Sequence, residues 1–233
     1  MATLRIFGDE AGTMPISDTD DVFVTGVVGI LSDKNITFES GHRRAIIARL
    51  QALSALTCVG SVTPYSGYEA VLSSKSHLMK TMAESTRLLT GANAKYLTPN
   101  SFSDRNLVWI HTMTQAIGQA VVTGLGRTTI DSIDIVLDQK TISEPTRMLF
   151  VDEVSRLPDR VQSVLTSLPS EQAVARRLLI DRLSVSSDAI TLHWSNEPTT
   201  AEQGAGLSLA HHLASKTHKD VLKGSTPSFP DEV

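Results

Sequence analysis

The sequence is poor in cysteine and has no apolar run long enough to cross a membrane. Its only cysteine, Cys58, cannot form a disulfide within the chain. No basic segment followed by an apolar stretch opens the sequence, so a secretory leader is not indicated. A membrane-spanning helix needs about 20 predominantly apolar residues in succession, which no segment supplies. These absences predict a soluble cytoplasmic protein that does not bind a membrane.

The chain also lacks an excess of basic residues and has few aromatic ones. Its formal net charge is -4 at pH 7 and its pI is about 6.0, so no overall positive field attracts nucleic acid. Aromatic residues make up 5% of the chain, which argues against base stacking on an exposed platform as the main mode of binding. Contact with nucleic acid would therefore need a local basic patch.

Three groups of basic residues could form such a patch. Three arginines within residues 43–49 share a predicted helix, and two more occupy residues 176–177. Both groups are also typical of a solvated helix face. Lys140 and Arg147 differ, because they follow a predicted strand that ends at an acidic residue. They are the candidate nucleic-acid-binding residues.

Length and composition favour one domain. A chain of 233 residues with 41% hydrophobic content can bury one substantial core, and no stretch rich in Pro, Gly or Ser divides it. Residues 216–233 contain two prolines and a glycine without an apolar period. The sequence therefore predicts a single domain over residues 1–215 and a flexible tail over residues 216–233.

The first predicted strand runs directly into two adjacent acids. Apolar residues over positions 3–8 lead to Asp9 and Glu10, which are followed by Ala11 and Gly12. Neighbouring carboxylates at a strand end repel each other and must be solvated, paired or bound to a cation. An acid in this place is also often a turn residue. Asp9 and Glu10 are still the first candidates for metal chemistry.

Hydrophobic periodicity predicts strands first and then alternating helices and strands. Strands are predicted over residues 3–8, 22–30, 35–39, 132–137, 184–187 and 189–194. Helices are predicted over residues 41–56, 69–89, 105–122, 144–165, 171–179 and 201–215. This order is typical of an α/β protein, in which helices pack against a mixed sheet whose first strands are antiparallel.

Two acids, Asp9 and Asp138, fall at strand ends in this interpretation. Carboxylates from neighbouring strands can converge on one or two divalent cations, and Mg²⁺ or Mn²⁺ prefers such oxygen ligands. A pair of such ions can activate a water and stabilise the leaving oxygen of a phosphodiester. Hydrolytic phosphoryl transfer is the chemistry that this pattern favours.

Three motifs resemble those of an uncharacterised bacterial and phage family. They are I-F-G-D-E-A-G over residues 6–12, I-V-L-D-Q-K over residues 135–140, and G-L-S-L-A-H-H-L-A over residues 206–214. Members of that family begin with a Tyr/Phe-x-Asp-Glu-Ser-Gly motif and end with a Leu-Gln-Leu-Ala-Asp-Leu-type helix. The family is similar to the ribonuclease H-like superfamily, which includes ribonucleases H, RuvC-type resolvases and retroviral integrases. The resemblance covers residues 4–215 and implies a ribonuclease H-like fold, with a mixed sheet of antiparallel N-terminal strands and later parallel strands that is flanked by helices.

The resemblance implies a set of site residues. Asp9 would be the metal ligand of the first strand, Glu10 its catalytic neighbour, and Asp138 the acid of the later strand. His211 stands where the family usually has Asp, and Ala11 where it has Ser. An imidazole can bind a divalent ion or relay a proton. Because a histidine in place of the usual aspartate removes a negative charge, activity is expected to be reduced, shifted toward Mn²⁺ or lost.

A ribonuclease H-like site also needs an acid from a helix between these two strands. Glu69 and Glu84 are the candidates, and Glu197 is a further candidate metal ligand. The implied function is a metal-dependent nuclease acting on RNA or DNA. Two alternatives remain open. One is a catalytically inactive interaction protein of a phage-defence or mobile-element system, with a protein partner or a second copy; the other is a hydrolase of small phosphoesters.

Overall fold

The computed structural model describes residues 2–13, 21–32, 56–73, 104–138, 143–167, 173–195 and 200–226. These ranges contain five strands and six α-helices, numbered in chain order. The strands are β1 (Thr3–Ala11), β2 (Val22–Ser32), β3 (Leu56–Pro64), β4 (Ser132–Asp138) and β5 (Ile190–Ser195). The helices are α1 (Tyr65–Ser73), α2 (Asp104–Leu125), α3 (Glu144–Ser155), α4 (Leu157–Ser167), α5 (Ala173–Arg182) and α6 (Ala201–Leu222).

The five strands form one mixed sheet in the order β3-β2-β1-β4-β5. β2 is antiparallel to both β1 and β3, whereas β4 is parallel to both β1 and β5. The prediction of an α/β fold with antiparallel first strands, later parallel strands and flanking helices is confirmed. Because β1 and β4 are parallel neighbours, their carboxyl ends lie at the same edge of the sheet.

Helices cover both faces of the sheet. Leu4 and Ile6 of β1 belong to the large core that includes α2, whereas the next residue, Phe7, faces α6. Buried side chains of α1, α3 and α4 belong to the same large core as α2. The molecule therefore has an α2 face and an α6 face. No helix among the described residues is long and apolar enough to cross a lipid bilayer.

Small residues bring α6 close to the sheet. A Cβ atom on Gly206 would lie 2.4 Å from the ring of Phe7 in β1. One on Gly26 of β2 would lie 2.8 Å from the backbone nitrogen of Ala214 in α6. Both distances are shorter than any normal carbon contact, so only glycine fits at these crossings. α6 is thereby held directly over β1 and β2.

Several elements differ from the sequence-based predictions. No strand was predicted at β3, which begins where the helix predicted over residues 41–56 was expected to end. Its Val and Thr residues are nevertheless typical of a strand. The helix predicted over residues 144–165 is divided at Arg156, because Pro158 has no N–H for the carbonyl four residues earlier. Of the strand pair predicted over residues 184–194, only β5 forms, preceded by a short 3-10 turn, Ser187–Ala189.

α6 is longer than predicted and continues past residue 215 to Leu222. Its first turn is capped by Thr200, whose side chain accepts a hydrogen bond from the backbone N–H of Gln203. In its added turns Thr217 is buried, and Lys216 pairs with Asp220 at 3.0 Å. The segment predicted as the start of a flexible tail is thus helical over 216–222. The strand predicted over 35–39 and most of the helices over 41–56 and 69–89 lie outside the described residues.

Candidate functional site

β1 extends through both acids of the opening motif. It runs to Ala11, so Asp9 and Glu10 lie within the strand instead of after it. Side chains alternate between the two faces of a strand, and these neighbours therefore point in opposite directions. Asp9 contacts α6 and Glu10 contacts α2. The expected repulsion between adjacent carboxylates is avoided because the sheet separates them.

Asp9 and His211 form a direct side-chain contact across the α6 face. The Nδ1 atom of His211 lies 2.8 Å from Oδ2 of Asp9, although 202 positions separate the two residues in sequence. The other oxygen, Oδ1, accepts a hydrogen bond of 2.7 Å from the backbone N–H of Glu10. The Asp9 side chain is 7% exposed, whereas that of His211 is 66% exposed. A buried carboxylate thus holds an imidazole that faces solvent.

With Asp9 ionised, this contact assigns a role to each ring nitrogen of His211. An ionised carboxylate can only accept hydrogen bonds, so Nδ1 carries the proton that is donated to Asp9. In a neutral imidazole the Nε2 lone pair is then available on the opposite side of the ring. Such a nitrogen can take a proton from water or bind a metal ion. The carboxylate thereby orients the ring.

Asp138 lies beside Asp9 at the same edge of the sheet. The last parallel pair between β1 and β4 joins Gly8 to Leu137, so the next positions on the two strands are Asp9 and Asp138. Residues in register on parallel strands face the same side, which places Asp138 on the α6 face. The structure therefore places three predicted site residues, Asp9, Asp138 and His211, in one region.

Two other predicted acids, Glu10 and Glu69, are not part of this group. Glu10 is on the α2 face, where its Oε2 accepts a hydrogen bond of 3.3 Å from Nε1 of Trp109. Glu69 is exposed on α1, which packs against α2 and β3, and so does not share the face of Asp9. Three other candidates, Glu84, Glu197 and Lys140, lie outside the described residues.

The residue types at this site fit a hard divalent cation, because carboxylate oxygens and an imidazole nitrogen are ligands of Mg²⁺ or Mn²⁺ in proteins. The helix-borne acid is not supplied by α1 or α2, since both belong to the α2 face. In the part of the chain that the structure describes, no group of three or more His, Cys, Asp or Glu residues is arranged to hold a metal ion. Asp9 and His211 instead contact each other.

An aromatic cluster lies on the α2 face at the same edge of the sheet. The rings of Trp109, Phe150 and Trp194 lie within 6.0 Å of one another, measured between centroids. The guanidinium carbon of Arg147 lies 5.7 Å from the centroid of the Trp194 ring. Arg147 was predicted from the sequence, whereas its aromatic partner was not. The alternation of apolar residues in β5 indicates a strand, but not which helix covers its tryptophan.

A second group of charged residues lies among α2, α3 and α4. Glu153 is 3% exposed and forms an ion pair with Arg160, and its Oε1 has no hydrogen-bond partner among the described residues. Burial raises the pKa of Glu153, and the nearby Arg160 opposes this rise. Burial lowers the pKa of His111, and Arg160 lowers it further. The group borders a cavity of about 600 Å³ that Arg160 helps to line.

Comparison with protein families, curated proteins and solved structures finds no match to this chain. Function must therefore be inferred from the chemistry of the residues that the fold brings together. The contact between Asp9 and His211 is the feature that most needs explanation, because a buried acid and an exposed base meet at the edge where parallel strands end. Such edges commonly hold the binding sites of α/β sheets.

Proposed function

We propose that this chain is a divalent-metal-dependent nuclease or a related phosphoryl-transfer enzyme that acts on phosphodiesters of nucleic acid. The observation that carries the proposal is the 2.8 Å contact between Nδ1 of His211 and Oδ2 of Asp9. It joins the first and the last of the three motifs at the edge where Asp138 ends β4. Acids and bases from distant parts of a chain meet in this way at catalytic sites.

The arrangement of the sheet supports a ribonuclease H-like fold as part of this proposal. The resemblance implies antiparallel N-terminal strands, later parallel strands, and acids at the ends of the first strand and of a later one. The sheet order β3-β2-β1-β4-β5 has these directions, with Asp9 near the end of β1 and Asp138 at the end of β4. The final helix of the resemblance corresponds to α6, which carries His211.

Asp9, His211 and Asp138 have separate roles in the proposed reaction. Asp9 keeps the imidazole of His211 oriented, with Nε2 directed away from the carboxylate. That nitrogen takes a proton from the attacking water, a role that contributes about 10²–10⁴-fold in typical enzymes. Asp9 and Asp138 would hold Mg²⁺ or Mn²⁺, which supplies electrophilic stabilisation of the phosphoryl oxygens when bound. The oxygen of the attacking water forms a bond to phosphorus, the bond from phosphorus to one ester oxygen breaks, and the leaving oxygen takes up a proton from solvent, so the products are a phosphomonoester and a free hydroxyl.

Cleavage assays with paired variants test this proposal. The purified protein is incubated with single- and double-stranded RNA, DNA and hybrid substrates in Mg²⁺ or Mn²⁺. The variants are Asp9→Asn, Asp138→Asn and His211→Gln, with His212→Gln as the matched control on the same exposed helix segment. We expect cleavage that is retained in the control and reduced at least about 100-fold in the other three. Equal activity in all proteins would contradict the proposal.

One observation favours a second candidate function, a non-catalytic ribonuclease H-like protein that binds another protein or a second copy of itself. Asp9 already has two hydrogen-bond partners, and the described residues include no three-ligand metal group. In this case His211 serves to fix α6 on β1. Calorimetric titration with Mn²⁺ separates the two functions, since stoichiometric binding that Asp9→Asn abolishes would contradict the second one.

A further inference from the structure

The carboxyl edge of the sheet has a second chemical surface on the side opposite Asp9. Trp109 of α2, Phe150 of α3 and Trp194 of β5 form a closed aromatic cluster, with centroid separations of 4.9, 5.5 and 6.0 Å. Phe150 is fully buried, whereas Trp194 is only partly buried. One ring of the cluster is therefore accessible from outside, and the other two hold it in place.

Arg147 covers the accessible ring. Its guanidinium lies 5.7 Å from the centroid of Trp194, which is within the range of a cation–π contact. The arginine itself is exposed and lies in the first turn of α3, near the positive end of the helix dipole. Stacking on an indole restricts the long side chain, so less rotational freedom is lost when the guanidinium binds an anion.

The register of the sheet places this surface next to the proposed site. Leu137 pairs with Trp194, and Asp138 pairs with Ser195, so the indole is one position from Asp138 along parallel neighbouring strands. β5 and β1 are separated only by β4, which corresponds to about 10 Å between their backbones. A polymer that crosses this edge can therefore contact Arg147 on one side and the Asp9 region on the other.

We propose that Arg147, held on the indole of Trp194, binds a backbone phosphate of the polynucleotide strand that occupies the proposed site. This inference rests on the proposed function and assigns a strand-positioning role to the α2 face. The planar guanidinium can donate two parallel hydrogen bonds to one phosphate. The net charge of -4 provides no general attraction, so a local cation at the edge of the site is needed.

The chain offers a direct optical readout of this contact. Its only two tryptophans, Trp109 and Trp194, both belong to the cluster, so tryptophan fluorescence, excited selectively over tyrosine, reports on this surface. Titration uses the Asp9→Asn variant in EDTA, which prevents cleavage, and a single-stranded oligonucleotide of about 12 residues. We expect saturable quenching that weakens with added salt.

The decisive comparison is between two exposed arginines. Arg147→Ala is expected to weaken oligonucleotide binding about three- to tenfold and to reduce the slope of log Kd against log salt by about 1. Arg147→Lys should recover only part of the affinity, because lysine lacks the planar fork. Arg177→Ala, on the exposed side of α5, is the charge-matched control and should bind like the parent.

Each outcome bears on the proposal in one direction. Unchanged affinity in Arg147→Ala, or an equal loss in Arg177→Ala, overturns it. Equally tight binding of mononucleotide or inorganic phosphate also overturns it, because the site would then not be reading a polymer. If Arg147→Ala alone loses affinity while the wild-type protein cleaves nothing, the strand-binding surface stands and the catalytic proposal fails.

Discussion

The α2 face and the α6 face of the sheet differ in the kind of contact that holds their helices. On the α2 face, side chains from four helices and the strands form one large apolar core. On the α6 face, the buried cluster is much smaller, and glycines bring α6 close enough for His211 to reach Asp9. Among the described residues, apolar burial is concentrated on the α2 face, and the α6 face holds an exposed polar pair.

The largest expected effect is on the free energy of unfolding, compared between a variant on the α2 face and one on the α6 face. Ile117→Ala removes a fully buried side chain from α2 and should lower the free energy of unfolding by about 2–5 kcal/mol, through lost burial and a residual cavity. His211→Gln alters a side chain that is 66% exposed, and glutamine can still donate to Asp9, so the free energy of unfolding should fall by no more than about 1 kcal/mol. Urea denaturation measures both. Similar losses in the two variants would remove the contrast between the faces.

Intermediate effects on stability are expected from two glycine substitutions, one on each face of the sheet. Gly206→Ala places a Cβ atom 2.4 Å from the Phe7 ring and should destabilise the fold by about 1–3 kcal/mol while separating His211 from Asp9. Gly118→Ala in α2 meets only Leu157, at 3.8 Å, and should stabilise the helix by up to about 1 kcal/mol. Thermal unfolding of both variants checks the signs, and a stable Gly206→Ala protein would show that the close approach of α6 is unnecessary.

The smallest expected effect concerns pH and the charged group of the α2 face. The pKa of His111 is lowered in the fold, so its stabilising contribution is present above the ordinary value of 6.5 and is lost as pH falls through the lowered pKa. The pKa of Glu153 is raised, so its contribution is present below the ordinary 4.5 and is lost as pH rises through the raised pKa.

Melting temperatures between pH 4 and pH 8 separate the two groups. His111→Gln should reduce the decline in stability below pH 6.5, and Glu153→Gln should reduce the decline that begins above pH 4.5. Because both residues lie on the α2 face, neither variant should alter metal-dependent cleavage at neutral pH. A profile identical to that of the wild type in both variants would contradict the assigned causes.

Much of the fold could be predicted from hydrophobic periodicity. β1, β2, β4 and the long helices α2 and α6 follow strong local patterns. β3 was not predicted as a strand, because its burial depends on pairing with β2, which is a tertiary contact. The end of α6 was misplaced because Thr217 is polar but buried, and hydrophobicity alone does not predict that.

The candidate site was predictable only in part. The motifs indicate Asp9, Asp138 and His211, but no local spacing predicts a contact across 202 positions. Glu10 was grouped with Asp9 because β1 was expected to end three residues earlier, and the extension of the strand places Glu10 on the other face. The pairing of Arg147 with Trp194 depends on how α3 crosses β5, which the sequence does not specify.

The proposed action of Asp9 and His211 as one catalytic unit is tested most directly by a double-mutant cycle on the cleavage rate. Rates are measured for the wild type, Asp9→Asn, His211→Gln and the double variant on one oligonucleotide in Mn²⁺. We expect each single variant to lose at least about 100-fold and the double variant to be no slower than the worse single variant. Losses that multiply in the double variant, or a wild-type rate in either single variant, would contradict the account.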